Sequence, residues 1–329
     1  MGYVTISNIH PFSKGNNGFQ ISPRFQEMMV YSAQLDSYEN CNEVLKKFTD
    51  IEVSATQVWR VAMVYGEQIG KTLNDEINLA PLKKDEVLYA MADGSMIFTR
   101  EEKWKEVKVG RLFKSSDCIH AGEKPGWISN SQYVAHLGGH KKFTQQMESL
   151  LDHYADGKQK IVFISDGATW IKNWVEDAYP NAISILDFYH ATEYLYAFTN
   201  AYFTDPLKGR KWSDKQKELL LNSKVRQVIK HVKKINSTLK EATRLLEYYE
   251  SNINRMDYAR YKTIGTGIIG SGAIESAHRT LVQKRMKQSG QRWSIIGAQH
   301  MLNLRVVKKN NQWAKIVALT KVNFINKAA

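Results

Sequence analysis

Residues 160–186 read KIVFISDGATWIKNWVEDAYPNAISIL and change pattern twice along their length. Residues 160–165 and 182–186 are short apolar runs of the kind that form buried strands. Between them, residues 168–178 carry apolar side chains at helical spacing, and a further helical pattern covers residues 188–203. Strands that alternate with helices predict a parallel α/β layout.

The chain before this stretch has the two-residue period of strands. Residues 87–92, 104–109 and 132–136 are strand-like, and helical spacing returns at 141–155. Successive strands without intervening helices favour antiparallel pairing. Three antiparallel strands that lead into alternating strands and helices describe a ribonuclease H-like mixed sheet, so the predicted fold class is α/β.

The first ordered part of the chain is predicted to be helical. Apolar residues recur at helical spacing in residues 24–34, 38–48 and 55–71. Ser54 and Gln57 have the form of a capping box at the start of the third helix. Three short helices suggest a helix-turn-helix in which Gln57 and Arg60 face the major groove of DNA. A helical bundle used only for packing or dimerisation is the open alternative.

Three acidic residues stand at the ends or starts of predicted elements. Asp93 follows the first strand, Asp166 follows residues 160–165, and Glu275 stands in the first turn of a basic helix after the Gly-rich loop 261–272. Carboxylates that meet from distant elements make the hard-oxygen site that holds two Mg²⁺ ions for in-line attack on a phosphodiester. The pattern therefore predicts metal-dependent phosphodiester chemistry.

Each of these acids also has a purely structural interpretation. Asp93-Gly94 is a strong hairpin signal, and Asp166-Gly167 could form a hairpin or cap a helix. Glu275 is favoured in a first helical turn by the helix dipole alone. The metal hypothesis rests on the three acids together.

Composition restricts the class of partner. Lys and Arg number 46 against 33 Asp and Glu, which gives a net charge of +13 and indicates a polyanion or an anionic membrane surface. No apolar stretch reaches the roughly 18 to 20 residues of a membrane span, and no signal peptide is recognisable. Cys41 and Cys118 form neither a disulfide framework nor a zinc motif. We expect a cytoplasmic, nucleoid-associated protein with no membrane partner.

Two further groups of residues are candidates for function. Asp187 and His190 are spaced to face the same side of a strand-to-helix junction, although a helix cap and a surface histidine are equally ordinary roles. A basic segment with an aromatic end suits DNA backbone contact and base stacking, with a solvated helix as the alternative. Its candidate residues are Arg279, Lys284, Arg285, Lys287, Arg292 and Trp293.

Sequence blocks around these residues resemble the motifs of a known family. The blocks are Asp93-Gly, Ser-Asp166-Gly-Ala-Thr-Trp-Ile, Ile-Leu-Asp187-Phe-Tyr-His190-Ala-Thr-Glu-Tyr-Leu, Gly-Ser-Gly-Ala-Ile-Glu275-Ser and Arg285-Met-Lys-Gln-Ser-Gly-Gln-Arg292-Trp-Ser. Together they look like those of bacterial DDE transposases of the ISKra insertion-sequence group, related to Mutator-type enzymes. The resemblance covers about Ser22 to Asn310.

The resemblance implies both a domain organisation and a role for Asp187 and His190. It implies an all-helical insertion between Asp166 and Glu275, and it matches Asp187 and His190 to an Asp-or-Cys, x, x, His element beside the active site. A longer N-terminal region with cysteines, frequent in such proteins, is not found. The expected segments are an N-terminal tail (1–22), a helical DNA-binding domain (23–80), a first catalytic-core part (81–204), the insertion (205–260), a final core part (261–310) and a C-terminal tail (311–329).

The resemblance also implies the activity. We expect a DNA transposase that cleaves at the ends of an insertion sequence and joins the freed 3′ hydroxyls to target DNA. Asp93, Asp166 and Glu275 are expected to hold Mg²⁺, with Mn²⁺ as a substitute, and the partners are double-stranded DNA and further copies of the chain. Another ribonuclease H-like nuclease and a non-catalytic DNA-binding protein derived from a transposase are the alternatives.

Overall fold

The computed structural model describes residues 18–73, 82–121, 124–154 and 160–321. The helices are α1 (Pro23–Ala33), α2 (Tyr38–Thr49), α3 (Ala55–Thr72), α4 (His140–Tyr154), α5 (Thr169–Ala178), α6 (Phe188–Tyr202), α7 (Pro206–Leu221), α8 (Val225–Ile235), α9 (Lys240–Ser251), α10 (Tyr258–Tyr261), α11 (Gly272–Ala277), α12 (Lys284–Met286), α13 (Ile295–Lys309) and α14 (Trp313–Leu319). The strands are β1 (Val87–Thr99), β2 (Lys103–Lys114), β3 (Cys118–Ala121), β4 (Lys124–Ile128), β5 (Gln132–Leu137), β6 (Lys160–Ser165) and β7 (Ile183–Leu186).

A five-stranded mixed sheet forms the centre, with the strand order β5-β2-β1-β6-β7. β2 pairs antiparallel with β1, to which a three-residue turn joins it, and with β5, which follows the β3–β4 hairpin. β1, β6 and β7 run parallel, with α5 connecting the last two. The mixed α/β fold that the sequence pattern predicts is therefore confirmed.

The hairpin interpretation of Asp93-Gly94 is wrong. β1 continues through both residues to Thr99, and Asp93 lies opposite Val109 within the β1–β2 ladder. The chain turns at residues 100–102, and the next residue, Lys103, adopts a positive φ of 62°. Asp93 is therefore a residue within the central strand.

The two faces of the sheet belong to two apolar clusters. Leu88, Ala90 and Ala92 face α4 and α5, as the alternation of side chains along a strand requires. Tyr89 and Met91 face the opposite way, into the cluster that includes α11 and α13. By the same alternation Asp93 points to the second face, where α11 packs against β1 and β2.

The N-terminal helices are joined closely to the rest of the molecule. α1, α2 and α3 pack on one another, and α3 also packs on α13, which covers β5. The Nδ2 of Asn303 on α13 donates to the carbonyl oxygen of Gly66 on α3, at 3.0 Å. The Nε of Arg285 donates to the carbonyl oxygen of Ala33 at the end of α1, at 2.8 Å. These helices thus share a continuous core with the sheet.

The helices α7, α8 and α9 leave the sheet after α6 and return to it at Arg255. The hydroxyl of Tyr249 donates to the carbonyl oxygen of Ala191, which fixes α9 to α6. The Nη2 of Arg255 donates to the Oγ of Ser165 and to the carbonyl oxygen of Ile185. The helical segment therefore ends against the carboxyl ends of β6 and β7.

Several elements lie where the sequence pattern indicated none, α13 among them. The β3–β4 hairpin follows β2, and α14 lies in the segment expected as a C-terminal tail. Ile316 of α14 is buried, and the Nε1 of Trp313 donates to Glu27 of α1 at 2.7 Å. Residues 1–17 and 322–329 of the expected tails lie outside the described residues. In the described ranges, no helix is both long and apolar enough to cross a membrane.

Candidate active site

The first acid lies in the middle of the sheet. Asp93 lies two residues after Met91, the last residue of β1 that pairs with β6. Its Oδ1 accepts a hydrogen bond from the backbone N–H of Gly94 at 2.7 Å. Its Oδ2 lies 3.4 Å from the Nε2 of His278. The carboxylate is thus held where β1 passes beyond its parallel neighbour.

The second acid follows that parallel neighbour directly. β6 ends at Ser165, and the Oδ1 of Asp166 accepts a bond from the backbone N–H of Ala168 at 3.0 Å, just before α5. The carboxyl end of a parallel strand is where open α/β sheets place their ligands. Asp93 and Asp166 therefore come from adjacent strands, at the end of the sheet where β6 finishes.

The third acid, Glu275, follows a loop that hydrogen bonds fix to the sheet. The hydroxyl of Tyr89 donates to the carbonyl oxygen of Ile264 and accepts from the backbone N–H of Thr266, both at 2.9 Å. The loop ends at Ser271, whose hydroxyl donates to the Oε1 of Glu275 at 2.7 Å. Glu275 is exposed on α11, whose Ile274 is buried toward β1 and β2.

The three acids act on one another electrostatically. Burial and, to a smaller extent, the negative charges of Asp166 and Glu275 raise the pKa of the Asp93 carboxyl to about 6, against the opposing effects of the Gly94 N–H and His190. Carboxylates that repel one another in this way form a site that a cation would stabilise. The other two acids that the sequence analysis singled out thus lie within electrostatic range of Asp93.

The side chains fit a divalent cation in their chemistry but are not arranged around one. Among the described residues, no group of three or more His, Cys, Asp or Glu side chains is poised to hold a metal ion. Each of the three carboxylates instead accepts a hydrogen bond from its own segment. Carboxylate oxygens with room for water and phosphate are the ligands that Mg²⁺ prefers.

Asp187 and His190 lie beside the acids and are tied to each other. Asp187 is 0 % exposed and caps α6, where it accepts bonds from the backbone N–H groups of Tyr189 and His190. Its Oδ2 also contacts the Nδ1 of His190, and its Oδ1 accepts from the backbone N–H of Ser271 at 2.9 Å. Because Ser271 holds Glu275, Asp187 positions the third acid.

The same contacts explain the charge of the pair. The hydrogen bond to Asp187 raises the pKa of His190 to about 9, against the effect of its partial burial. Burial alone would raise the pKa of Asp187, but the bonds from His190, Ser271 and Tyr189 lower it below its usual value. At neutral pH His190 is therefore a cation next to Asp93 and Asp166.

His278 belongs to this site and was missed in the sequence. It is 3 % exposed, and in the described structure neither ring nitrogen has a hydrogen-bond partner. Burial lowers its pKa to about 4, so the ring is neutral despite its 3.4 Å approach to Asp93. A lone histidine in a basic helix gives no pattern that would distinguish it from a surface residue.

The predicted DNA-contacting residues divide into an exposed and a buried group. Exposed side chains are Arg60, Arg279, Lys284, Lys287 and Arg292, and Gln57 is half-buried. Lys287 lies close enough to Asp93 for the two charges to interact. Arg285 and Trp293 are buried, at 1 % and 7 % exposure, and the Nε1 of Trp293 donates to the carbonyl oxygen of Met286. A base on the outer surface of the protein therefore cannot stack on the ring of Trp293.

Comparison with known proteins assigns the chain to a family. The model of the Uncharacterised protein family UPF0236 matches residues 16–322, so the chain belongs to this family. The "UPF0236 protein in vanSb 3'region" of Streptococcus gallolyticus is 23% identical over 298 residues, covering 88% of this chain. This chain spans 64% of the length of that relative. The Drosophila P element transposase strand transfer complex is similar with a TM-score of 0.33 and 9% identity, covering 90% of this chain and 80% of the other.

Proposed function

We propose that this chain is a DNA transposase of the DDE type, which cleaves at the ends of an insertion sequence and joins the freed 3′ hydroxyls to target DNA. One observation carries the proposal. Asp93, Asp166 and Glu275, from two adjacent strands and a helix across them, lie close enough for Asp166 and Glu275 to raise the pKa of Asp93. The resemblance to the ISKra group of transposases is based on the same residues.

The sheet supports the proposal through its strand order. A ribonuclease H-like sheet has three antiparallel strands followed by two parallel ones, and β5-β2-β1-β6-β7 has this arrangement. The helices α7, α8 and α9 lie within residues 205–260, the segment proposed as the insertion that the resemblance implies. An exposed Arg60 on α3 agrees with a DNA-binding role for the N-terminal helices.

In this proposal Asp93, Asp166 and Glu275 hold Mg²⁺, or Mn²⁺ in its place. The metal would supply activation of the attacking oxygen and stabilisation of the leaving one. The chain's own residues bind and orient the DNA. Protonated His190 offers a positive charge next to the acids, and exposed lysines and arginines neutralise phosphates. Asp187 keeps Glu275 in place through Ser271.

Isosteric substitution of the acids tests the proposal. Asp93→Asn, Asp166→Asn and Glu275→Gln should each lose several kcal/mol of transition-state stabilisation, which is more than about 100-fold in rate. Binding of DNA should change little, because the basic surface remains. Cleavage and joining are measured with labelled duplexes that carry the inverted repeats flanking the gene, supercoiled plasmid as target, and Mg²⁺.

Asp214→Asn on the exposed face of α7 is the matched control and should keep full activity. Near-normal Mg²⁺-dependent cleavage by any acid variant contradicts the role of that acid. Cleavage without any joined product would identify a metal-dependent nuclease. Binding without cleavage by the native chain would identify a DNA-binding protein without catalysis.

A further inference from the structure

A cleft of about 530 Å³ lies between the N-terminal helices and residues 291–297, away from the three acids. It opens beside Arg100, at the turn between β1 and β2. The backbone N–H of Arg100 donates to the carbonyl oxygen of Trp293 at 2.8 Å, so this segment is fixed to the strand end. At about 3.3 Å per strand residue, the cleft lies roughly 20 Å from Asp93 along β1.

Three helices begin at the wall of this cleft. Ser37 caps α2, Ser294 caps α13, and Ala55 is the first residue of α3, and all three residues line the space. Each helix is at least 11 residues long. Helix N-termini present a positive dipole end and free N–H groups, which favour an anion.

Three arginines add full positive charges. Arg100 and Arg292 are exposed at the mouth of the cleft, and Arg285 lies within its wall. Glu39, on the first turn of α2, is the carboxylate among the lining residues. The balance of charge therefore favours an anionic ligand.

Arg285 provides an independent sign that the cleft favours an anion. It is 1 % exposed, its Nε donates to the carbonyl oxygen of Ala33, and its guanidinium contacts the rings of Tyr38 and Trp293. Its Nη2 has no hydrogen-bond partner among the described residues. A buried charged donor without an acceptor is costly, and the positive charge of Arg285 in the wall favours an anion in the cleft.

Aromatic rings provide a surface for a base beside this anion site. Trp59 lines the cleft from α3 and is 44 % exposed, although its neighbours Val58 and Val61 are fully buried. Tyr38 also lines the cleft. A base that stacks on an exposed aromatic ring gains affinity whatever its identity.

We infer that this cleft binds one nucleotide of a DNA strand, with its phosphate at Arg100, Arg292 and the helix N-termini, near the buried charge of Arg285, and with its base against Trp59. The inference rests on the proposed function and adds a second point of contact to it. At about 3.4 Å per nucleotide, the bound nucleotide lies on the order of six nucleotides from the bond at the three acids. An unpaired or frayed base reaches such a cleft more easily than a paired one, because no pairing energy is lost.

Binding measured in EDTA tests the cleft apart from the chemistry. The probes are a fluorescein-labelled blunt duplex and the same duplex with an unpaired 5′ extension of six nucleotides, about the separation above. The variants are Arg100→Gln with Arg292→Gln, and separately Trp59→Leu. Each should weaken binding of the extended duplex by about 5- to 100-fold, the range for loss of a stacked base or its phosphate contacts.

The control carries the same change of charge elsewhere. Arg226→Gln with Arg260→Gln removes two exposed arginines from the helical segment, and its affinity should fall less than 3-fold, or about 0.65 kcal/mol. Equal losses in both double variants, or full affinity in the Trp59 variant, overturn the cleft as a site while leaving the proposed function intact. Failure of the native chain to bind either duplex overturns both.

Discussion

At the scale of single residues, one carboxylate organises the candidate active site. Asp187 is fully buried and uses both oxygens, for the first turn of α6 and for Ser271 before α11. His190 completes its set of partners. Asp187 therefore acts on the acids through Glu275, and its own oxygens are not free to approach a metal.

The pair of Asp187 and His190 should make stability depend on pH. Because the pKa of folded His190 is raised to about 9, its contribution is complete below its unfolded pKa near 6.5 and is lost as pH rises through 9. The lowered pKa of Asp187 adds a contribution that is lost in acid. We expect His190→Ala to lower the free energy of unfolding by about 1 kcal/mol more at pH 6 than at pH 10, after allowance for solvent screening.

Urea unfolding of the native chain and His190→Ala across this pH range measures the difference. His153→Ala, at an exposed position on α4, is the control for removal of a histidine ring away from this site. A difference in free energy of unfolding between the native chain and His190→Ala that is constant from pH 6 to pH 10 would contradict the ion pair of Asp187 and His190.

At the scale of elements, the crossing of α3 and α13 holds the N-terminal helices to the sheet. A Cβ at Gly66 would lie 2.6 Å from the carbonyl oxygen of His300 and 2.9 Å from its carbonyl carbon. Gly66→Ala must therefore force the two helices apart, and we expect a loss of about 1–3 kcal/mol in the free energy of unfolding. Gly272→Ala, where a Cβ meets nothing within 4 Å, should cause no loss. Unchanged stability of Gly66→Ala in chemical denaturation would show that the crossing can relax.

The sequence predicts most of these elements because their periodicity is local. Residues 160–165 form β6 as expected, and Asp93 and Asp166 lie on or directly after adjacent parallel strands, as the α/β alternation predicts. The β3–β4 hairpin is absent from the prediction because its strands, CIHA and KPGWI, contain no continuous apolar run like that of β7, and the second contains a proline and a glycine.

The cleft could not be predicted in the same way. Its wall combines Tyr38, Trp59, Arg100 and Arg285, which no spacing in the chain relates. The basic segment that contains Arg285 has the composition of an exposed helix, and only the packing of α1 and α2 against it buries this guanidinium. Burial of a charged residue depends on tertiary contacts, and the local pattern of a helix does not encode it.

At the scale of the whole molecule, one apolar cluster connects parts that the sequence suggested were separate. It includes Met29 of α1, Met91 of β1, Leu245 of α9 and Leu304 of α13. We expect the N-terminal helices and the sheet to unfold together, because neither can leave without exposing the other's apolar face.

Circular dichroism and tryptophan fluorescence should therefore report the same denaturation midpoint, and Gly66→Ala should shift both signals equally. Gly139→Ala, in a loop where a Cβ meets nothing within 4 Å, should shift neither signal. An early loss of helical signal with the fluorescence transition unchanged would establish the N-terminal helices as an independent folding unit.

The distance in sequence between Asp93 and Glu275 affects the order in which the protein is made. A ribosome adds about 5–20 residues per second, so the strand that carries Asp93 waits on the order of ten seconds or more for α11. Until α13 follows, the face of the sheet that holds Met91 is uncovered, and a growing chain needs protection from aggregation there. On the proposed function, a nascent chain has no complete set of acids, so DNA near the site of synthesis cannot be cut before the catalytic end of the chain has been translated.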